Sequence, residues 1–165
     1  MYFEKLPNTL YSLDNRLTVQ VVKNILLRVV ISDEIKGNYS VFDEYDIQDG
    51  ETPEILADRL YDNPQYHWVI LHMNDMVDPR YDWPLSTSNL IKYCQSKYSN
   101  INDVHHYVNS NGVIVNSTEP GALPVSNYEY EDSINETKRR IKVLKPQYIE
   151  EVVREFTQKL EDING

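Results

Sequence analysis

Residues 46–86 read DIQDGETPEILADRLYDNPQYHWVILHMNDMVDPRYDWPLS, and they carry two helix starts, two turn signals and an aromatic exit. Asp49-Gly50-Glu51 is a tight turn, after which Thr52 is placed to cap a helix with Pro53 at its first position. Ile55, Leu56 and Leu60 give that helix a short apolar face. The device repeats at Asp62-Asn63-Pro64, with Asn63 at the cap. Pro53 and Pro64, with ten residues between them, cannot both sit inside one helix, so the stretch predicts a pair of short helices.

The second helix is unusual. Tyr66, Val69, Ile70 and Met73 fall at i, i+3, i+4 and i+7, and Trp68 and Leu71 project from other angles. A helix that is apolar nearly all round must be covered on more than one side. One side is the core; the other calls for a terminal arm of the same chain or for a partner.

The run from Asp49 to Pro84 resembles the signature region of baseplate wedge proteins of contractile-tailed, T-even-type bacteriophages. The resemblance reaches, more weakly, into Met1–Ile47 and the closing segment IKVLKPQYIEEVVREF, residues 141–156. Its kernel of turn, helix, Tyr61-x-Asn63-Pro64, aromatic helix and Asn74 is also similar to LysM modules, small β-α-α-β folds. The exit Asp78-Pro79-Arg80-Tyr81-Asp82-Trp83-Pro84 fits the wedge proteins and is foreign to an ordinary LysM repeat. The expected fold is α+β: a small LysM-like β-α-α-β core over 39–98 including a third helix, preceded by an N-terminal arm and apolar segment (1–38). A β-hairpin, a loop and a C-terminal amphipathic helix follow over 99–165.

Composition narrows the function. A formal charge of −10 disfavours a nucleic-acid surface or an anionic membrane. The single cysteine, Cys94, excludes an internal disulfide and reads as a small buried hydrophobe. Thirteen tyrosines against five glycines favour contact area, since tyrosine supplies large amphipathic surface to interfaces. Met1–Leu10 shows no secretory apolar region, and Val19–Ile31 is interrupted by Lys23, Asn24 and Arg28 and is too short for a membrane span.

Outside the opening stretch, Met1–Leu17 reads as an extended arm with a Pro7-Asn8 turn. Thr18 to Val30 is read as a helix capped by Thr18, although its β-branched residues argue for a strand. Tyr39–Ile47 reads as a strand in which Val41, Tyr45 and Ile47 alternate and Phe42 is the exception. Ser86 or Ser88 caps a third helix through Tyr98, with Leu90, Ile91, Cys94 and Tyr98 on its face. Val104–Val108 and Val113–Val115 flank an Asn111-Gly112 hairpin turn. Ser117–Asp132 reads as a loop and Arg139–Leu144 as a strand. After Pro146, residues Ile149, Val152, Val153, Phe156, Leu160 and Ile163 form the cleanest amphipathic face in the chain.

No catalytic or metal constellation emerges. His67 and His72 are five apart and point in different directions on a helix; His105 and His106 are adjacent and face opposite sides of a strand. Asp43, Glu44, Asp46, Asp49 and Glu51 suggest a calcium loop, but Gly50 is fifth from Asp46 rather than sixth, so a solvated strand edge and turn is the better reading. No Gly-x-Ser-x-Gly elbow or Gly-rich phosphate loop is present.

The residues thus predict no enzyme, cofactor or metal, and the resemblance implies a structural subunit of a phage tail baseplate wedge. The resemblance implies synthesis in the host cytoplasm, incorporation into a sixfold plate, and contacts with neighbouring wedges and other wedge proteins. LysM-type glycan binding is the alternative. The expected contact residues are Tyr2, Phe3, Trp68, Leu71, Tyr81, Trp83 and Phe156. Substitution of Trp83, in an exposed exit, is expected to spare folding and impair assembly.

Overall fold

The computed structural model describes residue 6 and residues 8–12, 19–24 and 40–162. These form two compact units. One contains the described part of 1–44 together with 52–77 and 142 onward; the other contains 45–51 and 78–141. Helices and strands are mixed in an α+β arrangement.

In the first unit, β1 (Asn8–Tyr11) pairs antiparallel with β2 (Gln20–Lys23), Leu10 opposite Val21. The helix expected over Thr18–Val30 is thus a strand where it is described. The β-branched pair Val21-Val22 suits a pleated ribbon better than a helical turn, which would restrict both side chains. Thr18 and residues 25–30 of that expectation lie outside the described residues.

Helix α1 (Pro53–Tyr61) begins as the sequence dictates. Thr52 Oγ1 accepts from the Ile55 amide at 3.3 Å, and Pro53 occupies the first turn, where its missing N–H is not needed. The helix stops at Asp62, whose φ of 52° turns the chain left-handed. Asn63 then accepts from the Gln65 amide at 2.9 Å and opens a 3₁₀ turn, Pro64–Tyr66, that runs into α2 (His67–Met73).

The all-round apolar helix is covered within its own chain. Trp68, Val69, Ile70, Leu71 and Met73 of α2 are all buried. The cover comes from α6 (Ile149–Asp162), whose Phe156 ring lies 4.4 Å from that of Trp68, centroid to centroid. Ile149, Val152, Phe156 and Leu160 are buried along one face, so the helix that is amphipathic in sequence uses that face inside this unit. Asn74 stitches the end of α2 to the neighbouring strand: its Nδ2 donates to the carbonyls of Ile70 and Lys142, and its Oδ1 accepts from the Lys142 amide at 2.8 Å.

Strands β3 (Phe42–Asp46) and β7 (Arg140–Leu144) pair with each other. Lys145 N–H donates to Val41 C=O at one end and Ile47 N–H to Arg139 C=O at the other, so they run antiparallel. Phe42 and Ile47 are buried while Tyr45 is half-buried; Phe42 is a core position and not an exception. Within the first unit Tyr61 Oη donates to the Leu144 carbonyl at 2.9 Å, and burial pushes its phenol well above the usual range.

In the second unit, the exit folds into a short helix, α3 (Pro79–Asp82), capped by Asp78, whose carboxylate accepts from the Arg80 amide. Helix α4 (Thr87–Lys97) is capped by Ser86 and buries Leu90 and Cys94. Strand β4 (Val104–Val108) pairs with β5 (Ile114–Val115) across a turn in which Gly112 has φ 75°, as Asn-Gly requires.

Of the region expected to be a loop, 117–132, only 117–122 is turn and coil. Leu123–Ser126 is a third strand, β6, antiparallel to β4, and Asn127–Glu136 is a helix, α5. The signal is present in the sequence: Ser126 and Glu129 form a capping box, with the Ser126 hydroxyl accepting from the Glu129 amide and the Glu129 carboxylate from the Ser126 amide. Pro120, Gly121 and Pro124 obscure it, and only Gly121 of these turns the chain with positive φ.

Candidate protein-interaction surfaces

Among the described residues, three surfaces group apolar side chains that face solvent. The first is the β1–β2 ribbon. Seven of its eight residues are exposed and Val22 is half-buried; the directly opposed pair Leu10 and Val21 are 72% and 66% exposed. Two-stranded ribbons are marginal in water by themselves. Lys23 ties the ribbon's base, its Nζ donating to the Leu6 carbonyl at 2.8 Å, and Leu6 is buried.

The second is a stripe across the three-stranded sheet. Val108 has Ile114 opposite it on one side and Leu123 on the other, which places all three on one face; Ile114 and Leu123 are exposed.

The third is a groove of about 470 Å³ lined from α3, α4 and α5 by Tyr81, Leu85, Leu90, Tyr93, Ile134 and Asn135, among others. Tyr81 is 71% exposed, and Tyr93 and Ile134 are also open. Its frame is held by polar bonds. Asn135 accepts from the Leu85 amide at 2.7 Å and donates to the Leu85 carbonyl at 2.9 Å, completing both groups of one peptide residue. Lys138 Nζ donates to the Tyr81 carbonyl at 2.6 Å.

Beside the groove, Glu131 is buried and takes hydrogen bonds from Lys97 Nζ at 2.7 Å and Tyr98 Oη at 2.6 Å. Burial pushes the carboxyl up, but these two bonds outweigh it and hold it below the usual range. A carboxylate depressed on folding adds stability that is present above its unfolded pKa and lost as the pH falls through the folded one. Glu131→Gln is therefore expected to destabilise by about 1–3 kcal/mol at neutral pH, and by progressively less as wild type is acidified. Urea titrations of both proteins at pH 7 and below pH 4 check this; a penalty that does not shrink with acid contradicts it.

The residues singled out from sequence divide sharply. Trp68, Leu71, Trp83 and Phe156 are buried. Trp83 is 7% exposed, with Nε1 donating to the Glu51 carbonyl at 2.8 Å, so the exposed role foreseen for it does not describe this side chain. Tyr81 is exposed, as a contact residue must be. Tyr2 and Phe3 lie outside the described residues. Sequence reasoning misses the ribbon pair Leu10 and Val21, and also Ile114 and Leu123, because strand alternation is visible there only once pairing partners are known.

The acidic cluster is partly structural. Glu51 is buried and accepts from Tyr45 Oη and the Gln48 amide, rather than being solvated; Asp49 accepts from the Thr87 amide, and Asp46 pairs with Arg140 at 2.8 Å. Among the described residues no three metal-ligating side chains converge, and no helix is long and apolar enough to cross a membrane.

The family model described as Base plate wedge protein 53 matches residues 18–117, more than half of the chain. The chain belongs to this family. Baseplate wedge protein gp53 of Enterobacteria phage T4 is 39% identical over 70 residues, covering 41% of this chain and 36% of that protein. The match thus spans little more than a third of the relative's own length. As a member of the family, this wedge protein is a structural component of a phage tail baseplate, a part of the virion. The family match takes in β2, β3, the capped helix pair, the aromatic exit and the β4–β5 hairpin.

Proposed function

We propose that this wedge protein joins neighbouring wedges and other wedge components of a sixfold baseplate by presenting several unlike contact surfaces from a small folded frame. The observation that carries the reading is the β1–β2 ribbon: two short paired strands with Leu10 and Val21 side by side in solvent. Apolar pairs so exposed on a marginal ribbon gain free energy when covered. In a chain of net charge −10, neither strand carries an acidic residue, so the ribbon offers approaching protein a surface free of that repulsion. Tyr81 at the groove is a second contact in this scheme, whereas Trp68, Leu71, Trp83 and Phe156 serve it indirectly, by holding the frame.

The frame itself we take to be LysM-like. Strand β3, the capped helices α1 and α2, and strand β7 follow the order β-α-α-β with antiparallel strands, the closing strand coming from 140–144 after a long insertion. This supports descent from such a module without supporting glycan binding, for which neither the family model nor the T4 relative gives any indication.

The test is incorporation. A Leu10→Lys/Val21→Lys double variant changes two exposed side chains and is expected to fold with an unaltered melting temperature, yet to be lost from complexes when mixed with the other wedge proteins and sedimented. A folded double variant that co-sediments as fully as wild type would refute the ribbon as the docking surface.

A further inference from the structure

The groove lined from α3, α4 and α5 combines an apolar base with a positive rim. Asn89 and Tyr93 are one turn apart on α4, and Glu131, Ile134 and Asn135 fall at i, i+3 and i+4 on α5, so each helix turns one stripe to the groove. Leu90 and Asn135 are buried at its base, and the Asn135 amide is committed to the Leu85 peptide. Tyr81, Tyr93 and Ile134 line the same opening and are exposed.

Both tyrosines are steadied by cations. The Arg80 guanidinium lies 5.8 Å from the Tyr81 ring centroid, and Lys97 Nζ lies 5.5 Å from that of Tyr93. Side chains already held in place lose less freedom when a partner arrives.

The charged lining residues are Arg80, Lys138 and Glu131, and they are not equally available. Glu131 is buried, and its Oε1 accepts from Lys97 Nζ and Tyr98 Oη, so its charge is answered from within. Arg80 pairs with Asp78, yet its side chain is 82% exposed. Lys138 donates to the Tyr81 carbonyl, an uncharged acceptor that leaves its positive charge in place. A docking segment therefore meets a positive rim on a chain of net charge −10. At physiological salt the field of distant charges is screened over about 8 Å, so these near ones decide what is seated. The volume, about 470 Å³, suits a few side chains rather than a whole element.

We propose that the groove seats a segment of another wedge protein in which a bulky apolar side chain is flanked by Asp or Glu. The apolar group enters between Tyr81, Tyr93 and Ile134, and the carboxylate meets Lys138 and Arg80. This rests on the joining role proposed above and names the chemistry that one of its contacts requires.

The test mixes the full chain with the other purified wedge proteins and recovers complexes by sedimentation. A water-soluble carbodiimide then condenses lysine amines with carboxylates lying against them, and linked peptides are identified by mass spectrometry. Lys138 is expected to be joined to an Asp or Glu of another wedge protein, beside a bulky apolar residue. Ile134→Glu and Lys138→Glu are expected to keep the wild-type circular dichroism spectrum and to weaken co-sedimentation by about tenfold or more. Lys138→Gln, which keeps a donor for the Tyr81 carbonyl but not the charge, is expected to lose less. Wild type that joins no wedge protein would sink the joining role, and this proposal with it. Wild type that co-sediments while both glutamate variants do so equally well would overturn the groove alone. So would a Lys138 left unlinked in the complex, or linked only to a second copy of this chain. If a variant fails to fold, the links formed by wild type decide.

Discussion

Trp68→Ala is expected to destabilise the first unit by about 3–5 kcal/mol, the range for removing a buried large aromatic. Trp68 is 5% exposed and its ring meets Phe156 at 4.4 Å and the His72 ring edge-on at 5.6 Å. The loss therefore combines desolvated apolar area with a cavity between α2 and α6 that neither helix can easily close. Urea denaturation followed by far-ultraviolet circular dichroism, which does not depend on the tryptophan removed, measures it. Phe156→Ala and the double variant complete a cycle, in which the rings should couple by about 0.5–1.5 kcal/mol. A cost below about 1 kcal/mol for Trp68→Ala would mean that α6 does not cover α2.

Trp83→Ala is expected to be of similar size, about 3–5 kcal/mol, and this reverses what the sequence suggests. An aromatic followed by proline, at the end of a segment rich in Asp and Arg, reads as an exposed exit. Instead the indole is enclosed, and its N–H satisfies the Glu51 carbonyl at 2.8 Å. Alanine removes both the packing and the donor. Trp83→Phe separates the two, retaining most of the volume; its smaller loss, about 1 kcal/mol from the hydrogen bond plus the volume difference, should appear in the same denaturation curves. If Trp83→Ala melts with wild type and fails only in assembly, the burial argument is wrong.

Leu10 and Val21 present the complementary case. They are as apolar as any core residue, but their exposure gives substitution little effect on folding and a large effect on docking. Side-chain type alone does not separate them from Trp83; only the position of the surrounding chain does.

How much of the fold is legible follows from the range of the forces involved. Thr52-Pro53, Asn63-Pro64 and Asn111-Gly112 act within four residues, through a side-chain oxygen on a nearby amide, a fixed φ or a left-handed turn. Those elements read directly, as does the amphipathic face of Ile149, Val152, Phe156 and Leu160, because its periodicity is internal to the helix. The Ser126–Glu129 capping box is equally local and is hidden only by the surrounding prolines and glycine.

Local chemistry along the chain thus settles the short-range starts and stops, the apolar faces needing cover, and the kinship to baseplate wedge proteins carried by the Asp49–Pro84 pattern. Which segment covers which face was left to the folded chain: Phe156 on Trp68, Asn135 on the Leu85 peptide, β6 against β4 with a bulge that turns two histidines toward each other. Those pairings join residues tens of positions apart. Their free energy depends on the fit of two surfaces brought together by folding, a property that neither segment encodes alone.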